Sequence, residues 1–337
     1  MPCISSCRST ARLFHSSLRR RRTVLPVHTI DWNATADSIQ SFRHGAFAEK
    51  RPVLFRKDHG SPTSSIPALT KWFQGPAQGS VAGGRLSKQL EEFHQLPFPY
   101  EIVGASKENL QAIHAFCTSL IASQDMQDQI IAGILHSTLA DSAGDRFFQL
   151  FAPLKLLHKA LEFNQLRKAS GESTVELYIA QSLLADLPTR LQQDVPTPTL
   201  VLEAGKGDVY SSSIWLGTEP TYTPLHRDPN PNLFCQLHNQ KVVRLLPPQL
   251  GEKLYLQVQV QLRLQGSSRM RGVEMMEGEE RKVLQEAVWE PETPIEEMCE
   301  AELDAGDALF IPEGWWHSVK SSGASGDLNG SVNWWFR

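Results

Sequence analysis

From Ser173 to Arg337 the chain is cut into short apolar runs separated by turn-forming residues, and no other feature narrows its fold as far. The run from Val175 to Gln181 alternates as a strand does, and a short amphipathic stretch from Ser182 to Asp194 follows it. Strand candidates then come in close order at Thr199–Glu203, Ser211–Leu216, Leu233–Leu237, Lys241–Leu246, Leu254–Leu264, Ala308–Ile311 and Gly330–Phe336. Many short strands with turn signals between them predict a sandwich or barrel. Ahead of them the pattern is mixed, so the expected class is α+β with a mainly β core.

The first half supplies that mixture. Pro52 opens a short apolar run within residues 48–57, read as an early strand, and residues 58–70 are a Gly-, Ser- and Pro-rich loop. Pro97–Val103 predicts another strand, closed by Gly104. From Glu108 to about Ala140 apolar residues recur at three- and four-residue steps, the helical period. A second helical stretch is expected over Phe147–Asn164, interrupted near Pro153. His114, His136 and His158 fall in these helical regions without metal-ligand spacing and are read as packed or surface residues. Between Gln265 and Glu300 lies a segment rich in Glu, Met and Arg, read as a surface insertion with a helix over Val273–Trp289. The expected organisation is a leader over residues 1–30, an N-terminal α/β region over 31–172 packing on the core, and the β-rich core over 173–337.

The first thirty residues stand apart. They hold Arg8, Arg12 and Arg19 to Arg22, several serines and no acidic residue. Arg-rich, Ser-rich and acid-poor is the composition of a mitochondrial transit peptide; a basic tail or a nuclear signal in Arg19–Arg22 is the other reading. No apolar segment of signal-peptide type follows, which argues against secretion. Removing the six arginines takes the formal charge from −4 to −10, a poor match for a phosphate backbone. No run of eighteen apolar residues occurs, so no transmembrane helix is expected. The five cysteines are scattered without a C-x-x-C pair, so neither a disulfide framework nor a structural zinc site is expected.

Within the β-rich half, Thr221 to Lys241 carries the chemistry. His226 and Asp228 stand two apart, and residues two apart on a strand project to one side. An imidazole beside a carboxylate is two-thirds of a facial triad, the donor set that holds non-haem Fe(II). His317 offers a third ligand: Gly306-Asp307 reads as a turn, Ala308–Ile311 as a buried strand, Pro312-Glu-Gly as a second turn, and His317 begins the next strand. An aromatic-rich hairpin with an edge histidine is the competing reading. His238 is nearer in sequence, but His238-Asn-Gln240 reads as a hairpin turn whose tip points away from the interior. Lys241 opens the following strand. Facing inward it would need an anion, which a ligand carboxylate could provide with hydroxyls from Thr223 and Tyr178; facing outward it would extend to water.

These motifs together resemble one family. Thr223-Pro-Leu-His-Arg-Asp-Pro-Asn-Pro-Asn-Leu-Phe-Cys-Gln and Lys241-Val-Val-Arg-Leu-Leu-Pro-Pro248 are similar to the JmjC (cupin-like) Fe(II)/2-oxoglutarate oxygenases. So are Tyr178-Ile-Ala-Gln181, Ser213-Ile-Trp-Leu-Gly217, Gly306-Asp-Ala-Leu-Phe-Ile-Pro312, Trp316-His317 and Ser331-Val-Asn-Trp-Trp335. The resemblance covers about residues 173–337 and is nearest to the small hydroxylase branch. It implies a double-stranded β-helix, or jelly roll, with N-terminal helical additions. It implies that His226, Asp228 and His317 bind Fe(II), and that Lys241, Thr223 and Tyr178 hold the distal carboxylate of 2-oxoglutarate. It places Asn232 and Asn333 along the cosubstrate pocket and Trp215 at the site mouth.

The implied activity is hydroxylation of a protein side chain with O2, releasing succinate and carbon dioxide. Hydroxylation of a modified tRNA base and lysine demethylation are alternatives within that chemistry. A metal-dependent cupin isomerase needs no dicarboxylate anchor, and a non-catalytic scaffold needs no intact triad. Arg337 directly follows the last strand motif, and a monomer is the expected state.

Overall fold

Side chains alternate across a strand, so each strand residue serves one face of its sheet. The computed structural model describes residues 24–75, 84–104, 106–141, 147–263, 278–290 and 295–337. The first strands are β1 (Leu25–Pro26), β2 (Val53–Phe55), β3 (Phe73–Gln74), β4 (Arg85–Leu86), β5 (Pro97–Val103), β6 (Phe147–Pro153) and β7 (Leu177–Leu183). Then come β8 (Val209–Thr218), β9 (Tyr222–Arg227), β10 (Asn232–His238), β11 (Lys241–Leu246), β12 (Cys299–Leu303), β13 (Ala308–Ile311), β14 (Trp316–Ser321) and β15 (Leu328–Phe336).

The larger sheet runs β2-β13-β10-β15-β8-β7-β5-β6 and the smaller β1-β12-β11-β14-β9, with β3 and β4 a separate ribbon. From β8 to β15 the chain passes from one sheet to the other at every step except β11 to β12. Two facing sheets, antiparallel apart from the β1–β12 pair and wound in this way, are a jelly roll, the architecture the family resemblance implies.

Three apolar clusters follow from the alternation. The outward residues Leu328, Val332, Trp334 and Phe336 of β15 join Leu233 and Cys235 of β10 in a core shared with the N-terminal helices. Val243 and Leu245 of β11 meet Phe234, Leu309 and Val319 between the sheets. Leu225, Leu246 and Trp316, on the outer face of the smaller sheet, pack under Tyr255, Val258, Leu284 and Val288.

Those last residues come from helices that differ from expectation. The segment from Leu254 alternates apolar and polar as a strand would, yet Pro248–Leu262 is one helix with proline in its first turn. Over the longer window Gly251, Tyr255, Val258 and Gln259 make a buried helical face. Leu256 and Val260, which completed the alternation, are left 54% and 77% exposed. Thr199–Ala204 is likewise helical rather than a strand, starting at Pro198 and burying Leu200, Val201 and Ala204 on one side. Conversely Phe147–Pro153, expected to be helical, is strand β6 paired along its length with β5, and the helix begins at Lys155.

The insertion is only partly a surface feature. Its helix spans Gly278–Trp289, residues 273–277 of the expected helix lie outside the described residues, and Cys299–Glu300 already belongs to β12. Residues 31–172 do more than pack on the core, since β2, β5 and β6 extend the larger sheet. The leader expected over residues 1–30 lies outside the described residues as far as 23. Leu25–Pro26 pairs with β12 and Val27 is buried, so its last residues are part of the fold.

Candidate metal centre

Strands β9 and β14 pair antiparallel, with His226 directly opposite His317. Thr223 pairs with Val319, so β9 takes three steps where β14 takes two. That extra residue is a bulge. In a regular strand Thr223 and His226 would face opposite sides of the sheet; the bulge turns both into the roll. Asp228 follows just past the end of β9.

One ligand atom from each of His226, Asp228 and His317 lies within 4.8 Å of the others. Nε2 of His317 is 3.6 Å from Oδ2 of Asp228, and the two imidazole centroids are 4.2 Å apart. Nδ1 of His226 sits 2.8 Å from the Pro224 carbonyl, and Nδ1 of His317 sits 3.2 Å from that of Trp315. A carbonyl only accepts, so both Nδ1 atoms carry the proton and both Nε2 atoms are left to coordinate.

Asp228 is held by two donors on one oxygen. Trp335 Nε1 and Asn232 Nδ2 both donate to Oδ2, at 2.8 and 3.0 Å. Burial pushes the Asp228 carboxyl up, but the positive charge that His317 and His226 carry when protonated, together with these two donors, outweighs it, leaving it below the ordinary carboxylate range. The result is a preformed anionic corner flanked by two imidazoles.

Lys241, only 2% exposed, lies on the same interior surface. Its Nζ donates to Ser331 Oγ at 2.8 Å and to the Tyr178 hydroxyl at 3.2 Å. A buried ammonium is costly unless an anion meets it. Tyr178 reaches it because residue 217 is glycine: a Cβ there would come within 2.6 Å of the Tyr178 ring.

One cavity joins the two groups. His226, Asp228, His317, Lys241, Thr223 and Tyr178 all line it, as do Asn232, Asn333 and Trp215. Asn333 donates to Asn232 at 2.9 Å, and its buried Oδ1 has no hydrogen-bond partner, an acceptor turned toward whatever fills the space. Trp215 is half-buried beside Tyr178, ring centroids 5.8 Å apart. Sequence reasoning had not singled out Phe234, Val319, Ser331 or Trp335, which complete the lining. The signal for two of them was present: Ser331, Asn333 and Trp335 alternate along β15, so all three face one side.

His238 is not at a turn tip. It is the last residue of β10, and its ring stacks on Phe73 at 4.7 Å, away from the cluster. Burial lowers its pKa, with Asp327 opposing.

Two imidazoles and one carboxylate, with the remaining side open to a cavity, fit Fe(II). The buried lysine with two hydroxyls fits a carboxylate at reach from that metal.

Comparison with known proteins adds independent weight. The family model for the cupin-like domain matches residues 40–337. Lysine-specific demethylase JMJ30 of Arabidopsis thaliana is 31% identical over 176 residues, covering 52% of this chain and 37% of that protein. JmjC domain-containing protein D of Dictyostelium discoideum is 28% identical over 187 residues, 50% of this chain and 39% of that protein. Lysine-specific demethylase 8 of Danio rerio is 29% identical over 160 residues, 47% and 36% of the two chains. The matched part is thus well under half the length of these relatives. Proteins of this kind use Fe(II) and 2-oxoglutarate, and the His-Asp-His cluster is present here to receive them. The chain belongs to the cupin-like JmjC family of Fe(II)- and 2-oxoglutarate-dependent oxygenases.

Proposed function

We propose that this chain hydroxylates a protein side chain, with Fe(II) on His226, Asp228 and His317 and the distal carboxylate of 2-oxoglutarate on Lys241. The observation that carries the reading is a single cavity with the metal-ligand cluster and the buried lysine both in its wall. Bound together, Fe(II) and 2-oxoglutarate supply the oxidation, consuming O2 and releasing succinate and carbon dioxide.

The chain's own part is to position, orient and exclude. The carbonyls of Pro224 and Trp315 fix the imidazole tautomers. Trp335 and Asn232 hold Asp228 ionised and aimed. Lys241, with Ser331, Tyr178 and the inward-turned Thr223, supplies a charged and hydrogen-bonding seat for a carboxylate. Phe234 and Val319 line the cavity with apolar surface that keeps water from the reacting atoms.

Support for a protein substrate over a nucleic acid comes from the acidic body of the chain. Lysine demethylation is the second reading, favoured by the names of relatives from Arabidopsis thaliana and Danio rerio. It is the same oxidation aimed at an N-methyl carbon, whose hydroxylated product sheds formaldehyde. The deciding assay supplies purified protein with Fe(II), 2-oxoglutarate and oxygen, and measures succinate with and without peptide libraries. Succinate with a retained +O product supports hydroxylation, and succinate with formaldehyde supports demethylation. Absence of both succinate and 2-oxoglutarate binding overturns the whole reading.

The basic, acid-poor N-terminus supports a mitochondrial location in the same proposal. Residues 1–40 fused to a fluorescent reporter should reach mitochondria; a reporter that stays cytosolic or nuclear removes this part.

A further inference from the structure

The inward row of β15 extends past the cavity. Trp335 reaches Asp228 directly, Asn333 reaches it through Asn232, and Ser331 takes Lys241. Next in the row, Asn329 donates from Nδ2 to Oε1 of Glu219 at 2.8 Å and to the carbonyl of Gln240, the residue before Lys241, at 3.0 Å. Glu219 is fully buried. Asn239 adds a donor to Oε1 at 3.3 Å, while the buried Oε2 has no hydrogen-bond partner. A Cβ at residue 323 would come within 2.6 Å of Oε1, so glycine there leaves the carboxylate its place. A carboxylate this deep, with one oxygen unmatched, is not accounted for by structure alone.

The groups around it are few. Asn329 of β15, Asn239 of the β10–β11 turn and Ser321 at the end of β14 are neutral. Lys241 of β11 is the cation whose charge it feels. Asp327, whose carbonyl accepts from the Glu219 amide, is ion-paired with Lys168. His238 ends the neighbouring β10, and Asp304 is bonded to Gln240. Burial pushes the Glu219 carboxyl up, and Ser321, Asn329, Lys241 and the Gly323 amide pull it only part of the way back.

We propose that Glu219 is a positioning residue for the cosubstrate, a counter-charge to Lys241 that takes up a proton when a carboxylate binds there. The inference rests on the reading above that the distal carboxylate of 2-oxoglutarate sits on Lys241. The ammonium of Lys241 favours an ionised Glu219, and a bound anion cancels that help. Coupling between sites is reciprocal, so the anion raises the proton affinity of Glu219 and protonation of Glu219 tightens the anion. Affinity for 2-oxoglutarate is therefore greatest at low pH, falls as pH rises through the titration of Glu219 in the free protein, and levels off once Glu219 is ionised in both states.

The test is calorimetry of 2-oxoglutarate binding to the full chain loaded with Mn(II), from about pH 5 to about pH 9, a window above the ordinary glutamate value in which a raised carboxyl titrates. Running it in buffers of different ionisation enthalpy counts protons taken up on binding. Wild-type protein should take up protons, with affinity falling by about fivefold or more across the range, the lower end of ordinary site coupling. Glu219→Gln keeps the Oε1 acceptor and should give a flat profile without proton uptake. Lys241→Ala should weaken binding by about thirtyfold or more at every pH. No proton uptake in wild type, or a wild-type slope kept by Glu219→Gln, overturns the role of Glu219 while Lys241→Ala still reports on the anchor. Unchanged binding by Lys241→Ala overturns the anchor reading itself. Should Glu219→Gln not fold, the wild-type proton count decides alone, with the carbon-13 carboxyl shift of Glu219 followed with and without 2-oxoglutarate.

Discussion

Asp228 and Glu219 are both buried carboxylates served by the inward row of β15, yet their neighbours treat them in opposite ways. Asp228 has two imidazoles beside it and two strong donors on one oxygen, and its carboxyl lies below the ordinary range. Glu219 has only neutral donors, Asn329, Asn239, Ser321 and the Gly323 amide, with Lys241 as the cation acting on it, and its carboxyl lies above. Burial pushes both the same way, so the difference is made by the charge of what surrounds them. Asp228, the proposed cation ligand, is kept ionised by its imidazole neighbours and two donors on one oxygen. A buried carboxylate with neutral donors and one cation near it is left ready to take a proton.

The sharpest way to break this comparison is at the metal end. His317→Ala should lose metal binding at concentrations that saturate wild type, while His238→Ala should bind normally, as followed by Co(II) absorption. The reverse pattern would place the metal elsewhere. Next in size, Lys241→Ala should weaken 2-oxoglutarate by about thirtyfold or more in a binding titration, the usual loss when one side of a buried charged pair is removed. Trp335→Phe keeps the ring and deletes one donor to Asp228, so metal affinity should drop about 10- to 100-fold with 2-oxoglutarate contacts unaltered. An unchanged affinity would mean that Asn232 alone orients the carboxylate.

The smallest effect is on stability without ligand. Glu219 has a raised pKa in the folded state, so its contribution is fully present below the unfolded value and is lost as pH rises through the folded one. Thermal melts of metal-free Glu219→Gln should therefore lose less stability than wild type between acid and neutral pH. Parallel curves would show that Glu219 titrates alike in both states.

Much of the site was legible because its residue types are expensive to bury without a purpose. Two histidines, an aspartate and a lysine among apolar strand residues call for a ligand, and β11, β13 and β15 fall close to where alternation put them. Misreadings arose where a local pattern had two physical solutions. Leu254 to Leu262 alternates with period two, but the helix is chosen by Gly251, Tyr255, Val258 and Gln259, which pack on the smaller sheet. Phe147–Pro153 is rich enough in apolar residues for either state, and pairing with β5 selects the strand. His238 was rightly set aside from the cluster, though for the wrong reason, since its place depends on Phe73 from a distant ribbon.

Side-chain chemistry and strand periodicity, which are local properties, reached His226 and Asp228 as a pair, His317 and Lys241 as candidates and a sandwich or barrel as the class. The resemblance to the JmjC family narrowed these to a triad, an anchor and a jelly roll. Only the tertiary structure decided that His226 stands opposite His317, that a bulge turns Thr223 inward, and that one strand links Asp228, Lys241 and Glu219. Those relations depend on register between strands far apart in the chain. Register is set by how whole sheets pack, and no short stretch of residues encodes it.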